Sequence, residues 1–225
     1  MRLPSIVCAA TLAAIFAGPP HTADASQITY EFSSTASGTI GNTSFTNALV
    51  TLTGIGDTAD VVSVFGFAAA APLNLTTIAI QGVGTATITD PTEILSTKDP
   101  VSIEGSPLLP FVILGRIDSP PALDSLTGIG FIADQALLGY DLTTSIGPIT
   151  SVGGIGFIKN CGQGGNDPCL ATTMGRLSFA SNFGPDDSPV GTFSATLHPV
   201  PEPGSLLLVG GGVAALVRRR LRRRP

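Results

Sequence analysis

The chain has 225 residues, of which 43% are hydrophobic and only 12% charged, with 27 Gly, 18 Pro and no Trp. Low charge with high apolar content is the reverse of the disordered signature, and the length allows one sizeable domain once terminal segments are set aside. The formal net charge of −5 hides an asymmetry: between Ser26 and Pro199 four cations face fourteen carboxylates, a balance of −10 that repels nucleic acid and anionic polymers.

At the N-terminus, Met1 and Arg2 form a short positive region and Leu3 to Phe16 an apolar one. Gly18-Pro19-Pro20 then breaks the helix ahead of Ala23-Asp24-Ala25. This three-part order predicts a secretory signal over residues 1–25, with signal peptidase cutting after Ala25 and before Ser26. The apolar run, about fourteen residues, is too short for a bilayer span, which needs roughly 20.

From Ser26 onward, short runs of apolar and hydroxyl residues alternate between Gly, Pro, Asn and Asp. The predicted strands are Ile28–Ser33, Ala48–Thr53, Val61–Phe67, Leu75–Ile80, Gly84–Thr89, Phe111–Ile117, Ile129–Ala133, Ile155–Ile158, Met174–Ala180 and Val190–Leu197. In Thr85–Thr89 and Thr192–Leu197 one face is apolar and the other carries hydroxyls, which puts one side in a core and the other in water. A short helical turn is expected near Asp134–Leu138. The body, residues 26–198, thus reads as all-β: an antiparallel β-sandwich or jelly-roll-like fold. Leu52-Thr53-Gly54-Ile55-Gly56 recurs as Leu126-Thr127-Gly128-Ile129-Gly130, but without a fixed period, and is read as Gly-rich composition rather than duplication.

Cys161 and Cys169 enclose the flexible Gly162–Pro168 turn, and export favours a disulfide between them. With no nearby His they leave a zinc tetrahedron incomplete.

After Pro199 the chain reads Val200-Pro201-Glu202-Pro203, then an apolar Leu206–Val217, then Arg218, Arg219, Arg220, Arg222, Arg223 and Arg224. Pro201 and Pro203 hold the backbone extended. The apolar stretch predicts a short hydrophobic helix in the membrane, and the arginines hold its end on the cytoplasmic side. This order of Pro-Glu-Pro, apolar segment and basic end resembles the PEP-CTERM sorting tail, here residues 199–225. The resemblance implies processing by a membrane-embedded exosortase, loss of the apolar tail, and a transient inner-membrane anchor followed by surface or extracellular residence. It also implies a producer whose exosortase accompanies exopolysaccharide export.

Chemistry in the body is sparse. His21 leaves with the signal and His198 abuts the tail, so a Ser-His-Asp triad lacks its base. Glu31, Glu93, Glu104, Asp118 and Asp124 are the candidate acids for glycosidase-type hydrolysis, although most aspartates sit at turn positions. Calcium is the ion that exported acidic loops suit, with Asp167, Asp186 and Asp187 the places to look; none matches the EF-hand spacing. The leading expectation is a noncatalytic surface or matrix protein without a required cofactor and without nucleic acid as partner. The alternatives are a carboxylate- or calcium-dependent hydrolase and a glycan- or protein-binding module. An exposed patch of Tyr30, Tyr140, Phe65, Phe67, Phe131 or Phe157 would mark the last.

Overall fold

Alternation along the first strand sets the plan of the body: Ile28, Tyr30 and Phe32 are buried, whereas Gln27 and Glu31 are exposed. The computed structural model describes residues 26–64, 66–99, 102–103, 106–107, 110–117, 126–150, 170–180 and 191–198. The strands are β1 (Gln27–Ile40), β2 (Thr43–Asp57), β3 (Val62–Val64), β4 (Ala68–Ile80), β5 (Gly84–Thr87), β6 (Thr92–Thr97) and β7 (Ser102–Ile103). They continue as β8 (Ser106–Pro107), β9 (Phe111–Ile117), β10 (Leu126–Ala133), β11 (Ile146–Thr150), β12 (Leu170–Thr172), β13 (Gly175–Phe179) and β14 (Thr192–His198). All but β7 and β8 belong to one twelve-stranded sheet, and every named pairing in it is antiparallel.

The sheet approaches a barrel because two of its longest strands, β1 and β4, change partners midway. The first half of β1 pairs with β14 (Gln27↔His198 to Ser33↔Thr192), and its second half pairs with β13 (Gly38↔Phe179 to Ile40↔Leu177). A register shift between Ala36 and Gly38 marks the change, as a β-bulge that bends the strand should. At the β13 end, β1, β2, β4, β5, β12 and β13 follow one another round a ring. The Ile88↔Thr172 bridge closes it, with Thr89 N donating to Ala171 O (2.9 Å) and Thr173 N to Thr87 O (2.9 Å). Ile40, Phe45, Val50, Ile80, Leu177 and Phe179 fill this end, Phe45 and Phe179 meeting edge to face at 6.0 Å.

Ring closure demands that two turns meet at backbone distance. Gly41 (φ 56°) and Gly175 (φ 106°) are both in the left-handed region. A Cβ on Gly175 would lie 2.7 Å from Gly41 Cα, and one on Gly41 would strike Met174 O. Only glycine satisfies both demands.

At the other end, among the described residues, no pairing joins β11, beside β14, to β10, beside β9. The segment between those two strands covers this end. Asp134 caps a 3-10 turn (Gln135–Leu137) where a helical turn was expected, and Leu137, Tyr140 and Leu142 are then buried. Tyr30 Oη donates to Leu142 O (2.8 Å), Ser96 Oγ to Tyr140 O (3.0 Å) and Gly139 N to Lys98 O (2.8 Å). Phe193 packs on Phe32 (centroids 4.7 Å apart) and on Tyr140 (6.0 Å) beneath this cover.

The all-β, antiparallel expectation holds. The signal helix, the C-terminal hydrophobic helix and the strand expected at Ile155–Ile158 lie outside the described residues.

Candidate functional site

The two ends of the body meet at one pole. Ser26 N donates to Thr58 Oγ1 (3.2 Å) and Thr58 N to Ser26 O (3.1 Å), so the first residue after the predicted cut is already tied to the 3-10 turn (Thr58–Asp60). Gln27 is flanked on one side by Asp57 and on the other by His198. His198 is exposed and ends β14, which places the end of the body's last strand beside Gln27. Leu197 N donates to Ser145 Oγ (2.8 Å), anchoring β14 to the covering segment just before the tail departs.

Of the residues singled out from sequence, Ser26 falls in the described region. Ala23, Ala25, Cys161, Cys169, Asp167, Asp186, Asp187, Pro201, Glu202, Pro203 and the arginines from Arg218 to Arg224 lie outside it. Among candidate acids, Glu31 is exposed and Glu93 half-buried. They sit on different strand pairs, Glu31 opposite Thr53 and Ser194, Glu93 opposite Pro72 and Gly115. Glu104, Asp118 and Asp124 are likewise outside the described residues or side chains.

Asp57, Asp90, Asp134 and Asp141 accept from backbone. Asp57 Oδ1 accepts from Ala59 N (2.9 Å), Asp134 Oδ1 from Ala136 N (2.8 Å), and Asp90 Oδ2 from Ala171 N (2.7 Å). Asp141 Oδ1 accepts from Thr143 Oγ1 (2.6 Å) and Thr143 N (3.1 Å). The Thr143 hydroxyl bond holds the Asp141 carboxyl below its ordinary range against a smaller opposing effect of burial, with Thr143 N and the Lys98 charge helping. For Asp57, Asp134 and Asp141 this is the turn role that short acidic side chains fill by bonding backbone two residues on, whereas Asp90 reaches distant backbone and lies 3.9 Å from Arg116 Nη1. Among the described residues, no three His, Cys, Asp or Glu side chains gather to hold a metal, and no helix is long and apolar enough to cross a membrane.

Tyr30 and Tyr140, expected on a surface patch if the body were a binding module, are instead core residues at 0% and 6% exposure. Burial is the main cause that raises both phenols far above their ordinary range; Asp141 adds to it at Tyr30, and Tyr30 then Asp141 at Tyr140. Phe67 is half-buried, while the side chains of Phe65, Phe131 and Phe157 are outside the described set. A shallow concavity on the outer face of β2, β4 and β5 is lined by Leu49, Thr51, Gln81, Val83 and Thr85, with no titratable group in its wall.

Sequence reading missed Thr58 as the seat of Ser26. Its signal was Asp57-Thr58-Ala59-Asp60, a capping aspartate followed by a turn.

Residues 199–224 match the PEP-CTERM protein-sorting motif, so the chain bears the tail of an exosortase-sorted, exported protein that is transiently membrane-anchored. No curated protein and no solved structure is detectably similar to it.

Proposed function

We propose that the chain is secreted through its N-terminal signal, delivered to the cell surface or extracellular matrix, and acts there without catalysis. The PEP-CTERM motif at residues 199–224 is the observation that carries this reading. Asp57, Asp134 and Asp141 support a structural rather than a catalytic body, since they cap turns instead of facing one another across a cleft. Signal peptidase and exosortase are the processing partners, and the matrix itself, an exopolysaccharide among its components, is the destination. An acidic, hydroxyl-rich exterior keeps such a domain soluble there.

Intact mass of the mature protein from cells with and without the exosortase, beside a Pro203→Ala variant, tests the reading. The expected product starts at Ser26 and ends near Pro201–Pro203 only when the enzyme and the native motif are both present. A full-length C-terminus in every sample overturns it.

A further inference from the structure

We infer that the Ala25–Ser26 bond can be cut only before the sheet seals over β1, and that β14, the last strand to cross the membrane, does the sealing. The inference rests on the signal-peptide reading. A protease grips its substrate as an extended strand on both sides of the scissile bond, so it must hold Ser26, Gln27 and Ile28 with their backbone free. In the folded body none of the three is free. Ser26 is bonded through both N and O to Thr58. Gln27 and Ile28 have partners on both edges, Asp57 and Gly56 on one and His198 and Leu197 on the other, and Ile28 is wholly buried.

The order of synthesis decides when this closure occurs. β1 and β2 are adjacent in sequence and can pair early, but a lone two-stranded hairpin is marginal in water. The outer edge of residues 27–33 stays vacant until residues 192–198 arrive. Signal peptidase therefore has nearly the whole of translocation in which to work, and the window shuts as the sorting tail emerges. Hydrolysis adds water across the Ala25–Ser26 peptide: the C–N bond breaks, Ala25 takes the water oxygen as a carboxylate, and the Ser26 nitrogen takes both water protons and becomes an α-ammonium. That ammonium then seats on Thr58 Oγ1, where the peptide nitrogen now donates.

The test uses the full-length precursor purified in detergent and purified signal peptidase, with cleavage followed by mass. Three chains are compared: the native precursor, a precursor with a six-residue Gly/Ser insert directly after Ala25, and Phe193→Asp, which places a charge where Phe193 is fully buried and keeps β14 from docking. The native folded precursor should be cut roughly tenfold or more slowly than the other two, because Ile28 must leave the core at each opening. Equal rates for the native and inserted chains overturn the inference while leaving the signal reading intact. Failure to cut any of the three, including the Phe193→Asp chain with β14 undocked, refutes the signal reading and the inference with it.

Discussion

Removing a single oxygen from Tyr30 tests whether the covering segment is fastened as the geometry indicates. Tyr30→Phe keeps the ring in its site and deletes the donor to Leu142 O, 2.8 Å away. Leu142 is wholly buried, and its backbone sits in the left-handed region (φ 67°), a conformation that costs a bulky residue about 1–2 kcal/mol and persists only where its surroundings hold it. A buried carbonyl left without its donor costs about 1–3 kcal/mol, so we expect Tyr30→Phe to lose about 2 kcal/mol. For a body of this size that is a drop of roughly 4–8 °C in Tm. Tyr140→Phe is the internal control. Its hydroxyl donates at 3.3 Å to the carbonyl of exposed Thr144, where water can replace it, and the expected loss is about 0.5 kcal/mol or less. Urea unfolding of the mature chain, read as a shift in midpoint at constant slope, separates the two. Equal losses, or none at Tyr30, would refute the assignment of the Tyr30 bond as the fastening.

Gly175→Ala should cost more than Gly82→Ala although both have positive φ, because the first Cβ would lie 2.7 Å from Gly41 Cα and the second meets nothing within 4 Å; thermal melts of the pair check this. Asp141 has a folded pKa below its ordinary 3.8, so its contribution is complete above that value and disappears as pH falls through the lower folded one. Accordingly, the stability gap between native protein and Asp141→Asn should narrow below about pH 4 in acid titrations of unfolding. Thiol counting on the mature chain is expected to find no free cysteine until reductant is added, since Cys161 and Cys169 lie close in sequence on a chain bound for an oxidising compartment.

Where a strand has one wet face, the sequence announces it: Phe111–Ile117 coincides with β9, and Val190–Leu197 lies within two residues of β14 at either end. Elsewhere the same rule misleads. Thr92–Thr97 was invisible because β6 is buried on both faces, with Ser96 and Thr97 at 0% exposure, and so shows no alternation. Their hydroxyls are satisfied by Tyr140 O and by Phe111 backbone, contacts from distant chain that no local pattern encodes. The expected strand Ile28–Ser33 stops short, because β1 runs on to Ile40 through a register shift between Ala36 and Gly38. The repeated Gly-Ile-Gly marks a shared local device: at Ile55/Gly56 and at Gly128/Gly130 the ladder shifts register. A Cβ on Gly54 would come within 2.8 Å of Leu73 Cδ1. The tail was legible because sorting signals are read by enzymes as linear sequence. The pole at which the tail joins was not, since the pairing of Gln27 with His198 spans the whole body.

That pairing also has a mechanical side. With β1 and β14 antiparallel and both outer ends at the same pole, a pull between the two termini opens the ladder from Gln27↔His198 inward, one pair at a time, as a zipper opens. Hydrogen bonds loaded in sequence resist far less force than bonds loaded together. While a chain is tethered through both termini, any tension between them acts along this weakest direction. Severing the N-terminal tether leaves the remaining attachment with no opposing anchor to pull against, so a body held only through His198 can swing under flow without being peeled.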